Sequence, residues 1–548
     1  MMHIGSSCRR GGTMQYFMPA WHADGSWMEN EQAWYRSRKV TEFDDTVKQV
    51  QLFFRRHVAP FEICLLDFSP NFRHFLHRQG VLHAPWWSCF DAMQGIGARS
   101  MQTFSFHDLT WPEGTEFVYS PFAVIALVEG RKYAQIEFGE DGNMFRVDLF
   151  RGDVLVSRNL YDDRGFVSCQ ISYQDGAAVR ERYFAEDGTW KFARYLDDGH
   201  VVINHRSAWF LHGEGKTAVR VPYRQERYGS MDELISEVLQ DFLADTSSSD
   251  AFVIAMDSWH SKVLSEVLEG RRTILSFFGR RNGGRGISEA GRKLLAGASS
   301  IVADTRSDAR EIEELAGGIA APIHVITPYE ARVEVGMSLH LHVQNILLAV
   351  DALDADVLDA VAVELAAYVL GKNRQARVCL FTRSAAFEAP ARILQKVQDA
   401  LAAAGMDPAL AQEPAGVAEN GPDEGDTPER IFTVVRCVDE LHVSRTMREQ
   451  RVVVDLSEVP DQFLQISAMS MGVPQIAMHP TEYVADGRNG KILSELEDLP
   501  AVVDYYLESI EHFNEAQIAS YDLGERFSSS ELVKAWKEVI SCGEHARD

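Results

Sequence analysis

The sequence predicts an α/β protein of two parallel-sheet units, with an antiparallel β-meander inserted into the first. Three observations predict it. Strand-like and helix-like patterns alternate from Met14 onward. The middle of the chain then changes to alternating apolar and polar residues punctuated by Asp-Gly pairs, after which strand–helix alternation resumes. Strands separated by helices imply a parallel sheet, because parallel neighbours need a long crossover, and period-2 runs joined by tight turns imply hairpins. At 548 residues the chain is too long for one core.

Taken in order, "MQYFMPAW" opens as a buried strand stopped by Pro19, and "DDTVKQVQLFFRRH" has helical apolar spacing with Asp44-Asp45 at its start. "FEICLLDFS" is a second buried strand, and "NFRHFLHRQG" a helix closed by Gly80. From about Phe122 come the turn signals Asp141-Gly142, "DDRG", Asp175-Gly176, Asp187-Gly188 and "DDGH", spaced roughly 11 to 12 residues apart from "DDRG" onward, as in a meander whose hairpins need positive φ. Helix "SMDELISEVLQDFLA" and strands "DAFVIAMDS" and "RTILSFFG" restore the α/β texture. In the second unit "LHLHVQNILLAVDAL" is predicted helical, followed by strand "ARVCLFTRS", helix "RILQKVQDALAAAG" and strands "ERIFTVVRC" and "RVVVDLSE". The spans are a leader or disordered tail at 1–13, a first unit at 14–120 and 226–330, a meander at 121–225 and a second unit at 331–548. Within the last, 405–430 is rich in Pro, Gly and acids and is expected to be a mobile loop open to proteases, and the closing helices are expected to cross between the units.

Lys and Arg total 54 against 80 Asp and Glu, a net charge of −26 that disfavours bare nucleic acid and anionic lipid. Seven scattered cysteines without C-x-x-C spacing point to free buried thiols, not to a disulfide framework or a zinc site. "MMHIGSSCRRGGT" lacks the apolar core of a signal peptide and is consistent with translated leader before a start at Met14.

Two α/β units facing a cleft bind ligands beyond the carboxyl ends of their strands. There "SAMSMGVPQI", followed by "DGRNGKIL", has the outline of the donor-sugar motif of nucleotide-sugar transferases of the two-Rossmann type. Its acids are missing. Ser467 stands where a glutamate is expected, Val459 stands eight residues earlier where a second would stand, and Glu458 is one residue off. Arg383 is the lone base after the first strand of the second unit. Ser467 can hydrogen-bond but carries no charge. The pocket is therefore expected to be degenerate, with Gly472, Val473 and Pro474 reduced to a turn. Trp21, Trp27, Trp34 and Tyr35 after the first strand, and Trp86-Trp87, are candidates for partner contacts or for packing, as are Tyr183 and Trp190 among the outward residues of the meander. His340 and His342 are two apart and poorly placed for a metal on a helix; no metal or other cofactor is expected. Asp257, Ser258 and His260 lack a nucleophile-elbow frame, and "FGRRNGGRG" has no Walker lysine and is expected to be a flexible basic loop.

"MQYFMPAWHADGSWMENEQAWYRSRKVTEFDDTVKQVQLF", then "LLDFSPNFRHFLHRQGVLHAPWWSCFDAMQGI", the meander, "VITPYEARVEVGMSLHLHVQNILLAVDAL" and "MSMGVPQI…DGRNGKIL" resemble, in order, the accessory secretory protein family of Gram-positive bacteria, at its glycosyltransferase-like first member. The resemblance implies two Rossmann-like domains in a glycosyltransferase-B-like arrangement with an extended β-meander, and no transferase activity. It also implies assembly with two sister accessory secretory proteins and an accessory SecA-type motor ATPase, at the inner face of the cell membrane through the translocase. The exported client would be a glycosylated serine-rich repeat adhesin. An active transferase modifying that adhesin, with Glu458 as its acid, is the alternative.

Overall fold

The computed structural model describes residues 13–21, 44–97, 104–139, 142–204, 223–279, 281, 287–316, 318, 320–384, 386–411 and 430–545. Trp27, Trp34, Tyr35, most of the leader and most of the acidic segment lie outside them.

The first parallel sheet holds β1 (Gln15–Met18), β2 (Phe61–Leu65) and β3 (Trp86–Ser88). The meander follows as β4 (Glu116–Tyr119), β5 (Val124–Val128), β6 (Arg131–Phe138), β7 (Met144–Arg151), β8 (Val154–Tyr161), β9 (Val167–Gln174), β10 (Ala177–Phe184), β11 (Trp190–Tyr195), β12 (Val201–Ile203) and β13 (Arg227–Tyr228). The chain then returns to the first sheet as β14 (Ala251–Ala255), β15 (Arg272–Phe277), β16 (Ser300–Ala303) and β17 (Ile323–Val325), in the order β17-β16-β15-β14-β1-β2-β3. All its pairings are parallel. The ten meander strands pair in strict sequence order and antiparallel, from Glu116 to Tyr228, slightly wider than the expected 121–225.

The second parallel sheet comprises β18 (Gln344–Ala349), β19 (Ala376–Thr382), β20 (Phe432–Arg436), β21 (Gln450–Asp455), β22 (Gln475–Ala477) and β23 (Gly490–Ile492), ordered β20-β19-β18-β21-β22-β23. Its central strand corrects the sequence reading. "LHLHVQNILLAVDAL" is a 3₁₀ turn at Ser338–His340 followed by β18, not a helix. Ile346, Leu347 and Leu348 are buried between β19 and β21, and a short apolar run buried on both faces does not show whether it is strand or helix. The acidic segment also begins in order, since Pro408–Ala411 forms a 3₁₀ turn with Leu410 and Ala411 buried.

The closing helix Ser529–His545 crosses back to the first unit. Trp536 is buried there, edge-on to Phe17 and Phe53, and the Arg272 guanidinium donates to the carbonyl of Ile540. Cys64, Cys89, Cys169, Cys379 and Cys437 are free and buried, and Cys542 is free and exposed.

Candidate functional site

In the second unit Arg383 follows β19 directly. Its Nη2 donates to Asp461 Oδ1 at 2.7 Å, and Nε lies 2.7 Å from Oδ2. Asp461 also caps the helix Gln462–Ser470, accepting from the Leu464 N–H at 2.9 Å. A helix N-terminus beyond a parallel sheet is a ready anion site. Here the chain's own carboxylate occupies it, and the sole basic residue expected there is committed to that carboxylate. Asp455, at the end of β21, accepts from the Asp461 N–H and the Ser457 hydroxyl, and burial pushes its carboxyl up.

Ser467 lies later in the same helix and is buried, whereas Glu458 and Val459 are exposed on the loop before it. Gly472 has φ of +65° and ends that helix: the Val473 N–H donates to the Ala468 carbonyl at 2.9 Å. A Cβ on Gly472 would meet Gln517 Cγ at 2.4 Å. The Pro474 carbonyl accepts from the Val453 N–H and so registers β22 beside β21. Gly472-Val473-Pro474 thus places a strand.

The first unit repeats the arrangement. Asp44 caps the helix Asp45–Arg56, accepting from the Val47 N–H at 3.1 Å and from the Trp21 indole at 2.7 Å. Arg281 clamps the acids. Its Nη1 and Nη2 donate to Asp45 at 2.6 and 3.2 Å, while Nε and Nη2 also donate to the carbonyls of Met256 and Ser276. Burial, then the neighbouring Asp45, pushes the Asp44 carboxyl up to about 6, against the pull of Arg281. The expected flexible basic loop therefore contains an anchored, half-buried arginine. Only the Asp44-Asp45 pair hinted at it in the sequence, because nothing local pairs those acids with a base more than 200 residues away.

Other expectations resolve as packing. Asp257 caps the helix Ser258–Val267, and His260 Nδ1 donates to the Ala255 carbonyl at 2.7 Å, with burial holding the imidazole below its usual range. Trp21 is buried against Phe75, Trp86 is buried edge-on to Phe72, and Trp87 stacks on Phe242 at 4.3 Å. Tyr183 does not face outward; it is buried among Phe68, Phe90 and Phe192, because its face of β10 covers the helix Cys89–Gln94. Trp190 is half-buried, with Arg182 over its ring. Among the described residues one acid–histidine group, Asp197, Asp198 and His200, could approach a cation, but it lies on a hairpin turn where Asp198 already accepts from His200.

Contacts also bridge the cleft. Gln462 Nε2 donates to Asp304 across it at 2.8 Å, Lys48 pairs with Glu440, the Arg306 N–H donates to Glu482, and Tyr329 stands edge-on to Phe463 at 5.1 Å.

A glycosyltransferase-B-like scaffold whose two helix-terminal anion sites are filled by its own carboxylates, with a ten-stranded meander grown from one half, defines a protein of the transferase-like class. The family described as accessory Sec system protein 1 matches residues 14–542, and the chain belongs to it. It is 28% identical over 535 residues to the accessory Sec system protein 1 of Streptococcus gordonii, covering 96% of this chain and 99% of that protein. Its fold matches a chain in the crystal structure of accessory secretory proteins 1, 2 and 3 of Streptococcus pneumoniae (TM-score 0.75, 25% identity, 97% of this chain and 100% of that one). It also matches the pneumococcal O-GlcNAc transferase GtfA, with TM-score 0.69 over 98% of this chain and 100% of that one; at 11% identity that likeness shows the fold alone.

Proposed function

We propose that this chain is a non-enzymatic component of the accessory Sec export system. It assembles with two sister accessory secretory proteins and the accessory SecA-type motor at the inner face of the membrane, and serves the export of a glycosylated serine-rich repeat adhesin. The observation that carries the non-enzymatic part is the filling of both anion sites, by Asp461 against Arg383 and by Asp44 and Asp45 against Arg281. A donor diphosphate would have to displace a hydrogen-bonded carboxylate from each helix N-terminus and then repel those remaining nearby. Family membership supports the export role, and the solved assembly of accessory secretory proteins 1, 2 and 3 supports the sister proteins as partners. Outward residues of the meander, Trp190 among them, serve as the contact surface.

The test has two arms. Co-expression with the two sister proteins should give one complex, and incubation with nucleotide sugars should give neither hydrolysis nor transfer to the adhesin. Sugar turnover that disappears in Glu458→Gln would overturn the reading and establish the transferase. Failure of all three proteins to co-purify would remove the assembly.

A further inference from the structure

The register of the meander divides its residues between two faces, because residues directly opposite on neighbouring strands point the same way. All three carboxylates of strands β6 to β12 fall on one face. There each meets an arginine: Glu137 with Arg146 at 2.6 Å, Asp148 with Arg158 at 2.7 Å and Glu181 with Arg194 at 3.7 Å. The other face carries Ser157, Asn159, Gln170, Ser172, Arg180 and Arg182, the last opposite Gln170 and Ala193. Neither Arg180 nor Arg182 has a carboxylate partner among the described residues, in a chain whose net charge is −26. Each instead lies over an aromatic ring, Arg180 over Tyr195 at 5.9 Å and Arg182 over Trp190 at 6.0 Å. Their mutual repulsion shows in Arg182, whose pKa is lowered by burial first and by Arg180 second.

We propose that this face binds an extended acidic peptide segment of a partner protein. The proposal rests on the reading of the meander as a contact surface and names its chemistry. Two arginines two residues apart on a strand stand about 7 Å apart, the spacing of same-side residues in an extended chain, so carboxylates at alternate positions meet both. The separate rings hold the two guanidinium forks apart instead of letting them converge on one anion. Arginine also offers a planar fork for bidentate carboxylate recognition. Beside them the Gln170 amide, which donates to Asn159 at 3.0 Å, and the Ser172 hydroxyl form an uncharged strip suited to a peptide backbone. In so acidic a chain the attraction is local and falls with salt.

Calorimetric titration of the full chain with an alternating Glu-Thr peptide of about ten residues tests this. The wild type should bind, more weakly at higher salt, and Arg180→Gln with Arg182→Gln should weaken binding at least roughly tenfold while circular dichroism stays unchanged. Arg180→Lys with Arg182→Lys should fall between, keeping charge without the fork. Equal binding by wild type and the Gln variant overturns the proposal. So does a wild type that ignores the peptide yet takes up inorganic phosphate or anionic vesicles through these arginines, which would assign the face to a lone anion or a membrane. Co-purification of the sister proteins is read separately. If the Gln variant loses the peptide but keeps the sisters, the acidic-peptide site stands and assembly uses another surface.

Discussion

Arg281 shows what a single side chain does here. It lies between Asp44 and Asp45 and closes the first unit's anion site. Replacing it with Met leaves the buried Asp45 and the half-buried Asp44 without their cation, and Arg281→Met should cost about 3–5 kcal/mol of unfolding free energy. Denaturant titration measures it, and Asp45→Asn in the same chain should recover part of the loss; no loss would mean the pair is not buried as described. Asp163 makes a second case. Its carboxylate accepts from the His74 N–H at 3.0 Å, and burial, then the adjacent Asp162, pushes its pKa up to about 7. A carboxyl whose folded pKa lies above its unfolded value of about 3.9 is most favourable below that value, and its contribution is lost as pH rises through the folded pKa. Stability should therefore fall between about pH 4 and 7 in the wild type. Asp163→Asn keeps an acceptor for His74 and should lose less melting temperature between about pH 4 and 7; parallel curves for the two proteins would remove Asp163 as the cause.

Among elements, the closing helix Ser529–His545 matters most to the first unit. Trp536 fills the face of the first sheet beside Phe17 and Phe53, so that core is completed by the last helix of the chain. Trp536→Ala should cost about 3–5 kcal/mol. Because the lesion lies in the first unit, hydrogen exchange should quicken at β1 and β2 more than at β18 and β19; uniform quickening would show that the two units unfold as one. The meander is held by a different device. Arg164, in the β8–β9 turn, donates to both oxygens of Asp91 at 2.7 and 2.8 Å and to Asp162, which ties the sheet to the helix Cys89–Gln94.

For the whole molecule, the two filled anion sites and the contacts across the cleft have one consequence. A ligand that binds only the folded state at about 100 times its Kd raises stability by about 2.7 kcal/mol. Millimolar nucleotide sugar should give no such shift in thermal denaturation of this chain. A dose-dependent rise that vanishes in Arg383→Ala would show that Asp461 yields to a phosphate. On the proposed function, the meander, and not the cleft that Lys48–Glu440 and Gln462–Asp304 bridge, is the surface that meets other proteins.

Period and turn chemistry determined the class of the fold. Asp-Gly pairs placed the hairpins, capping residues such as Asp44, Asp257 and Asp461 opened helices, and Val459 and Ser467 stand in the sequence where the donor-sugar motif has acids. These are local signals, set by backbone sterics and by hydrogen bonds within a few residues. What pairs with the acids at those helix starts was not local. Arg281 meets Asp45 and Arg383 meets Asp461 only after strands far apart in sequence join one sheet, each pair with a single strand between them. β18 could not be told from a helix, since burial on both faces erases the period. Tyr183 and Trp190 looked alike as aromatic residues of alternating strands, yet one is core and the other half-buried on the opposite face, because the bulge between Tyr183 and Phe184 and the helix beneath β10 decide which way each ring points. Pairing of charge and facing of strands belong to the tertiary structure, because both depend on contacts whose members the chain holds far apart until it folds.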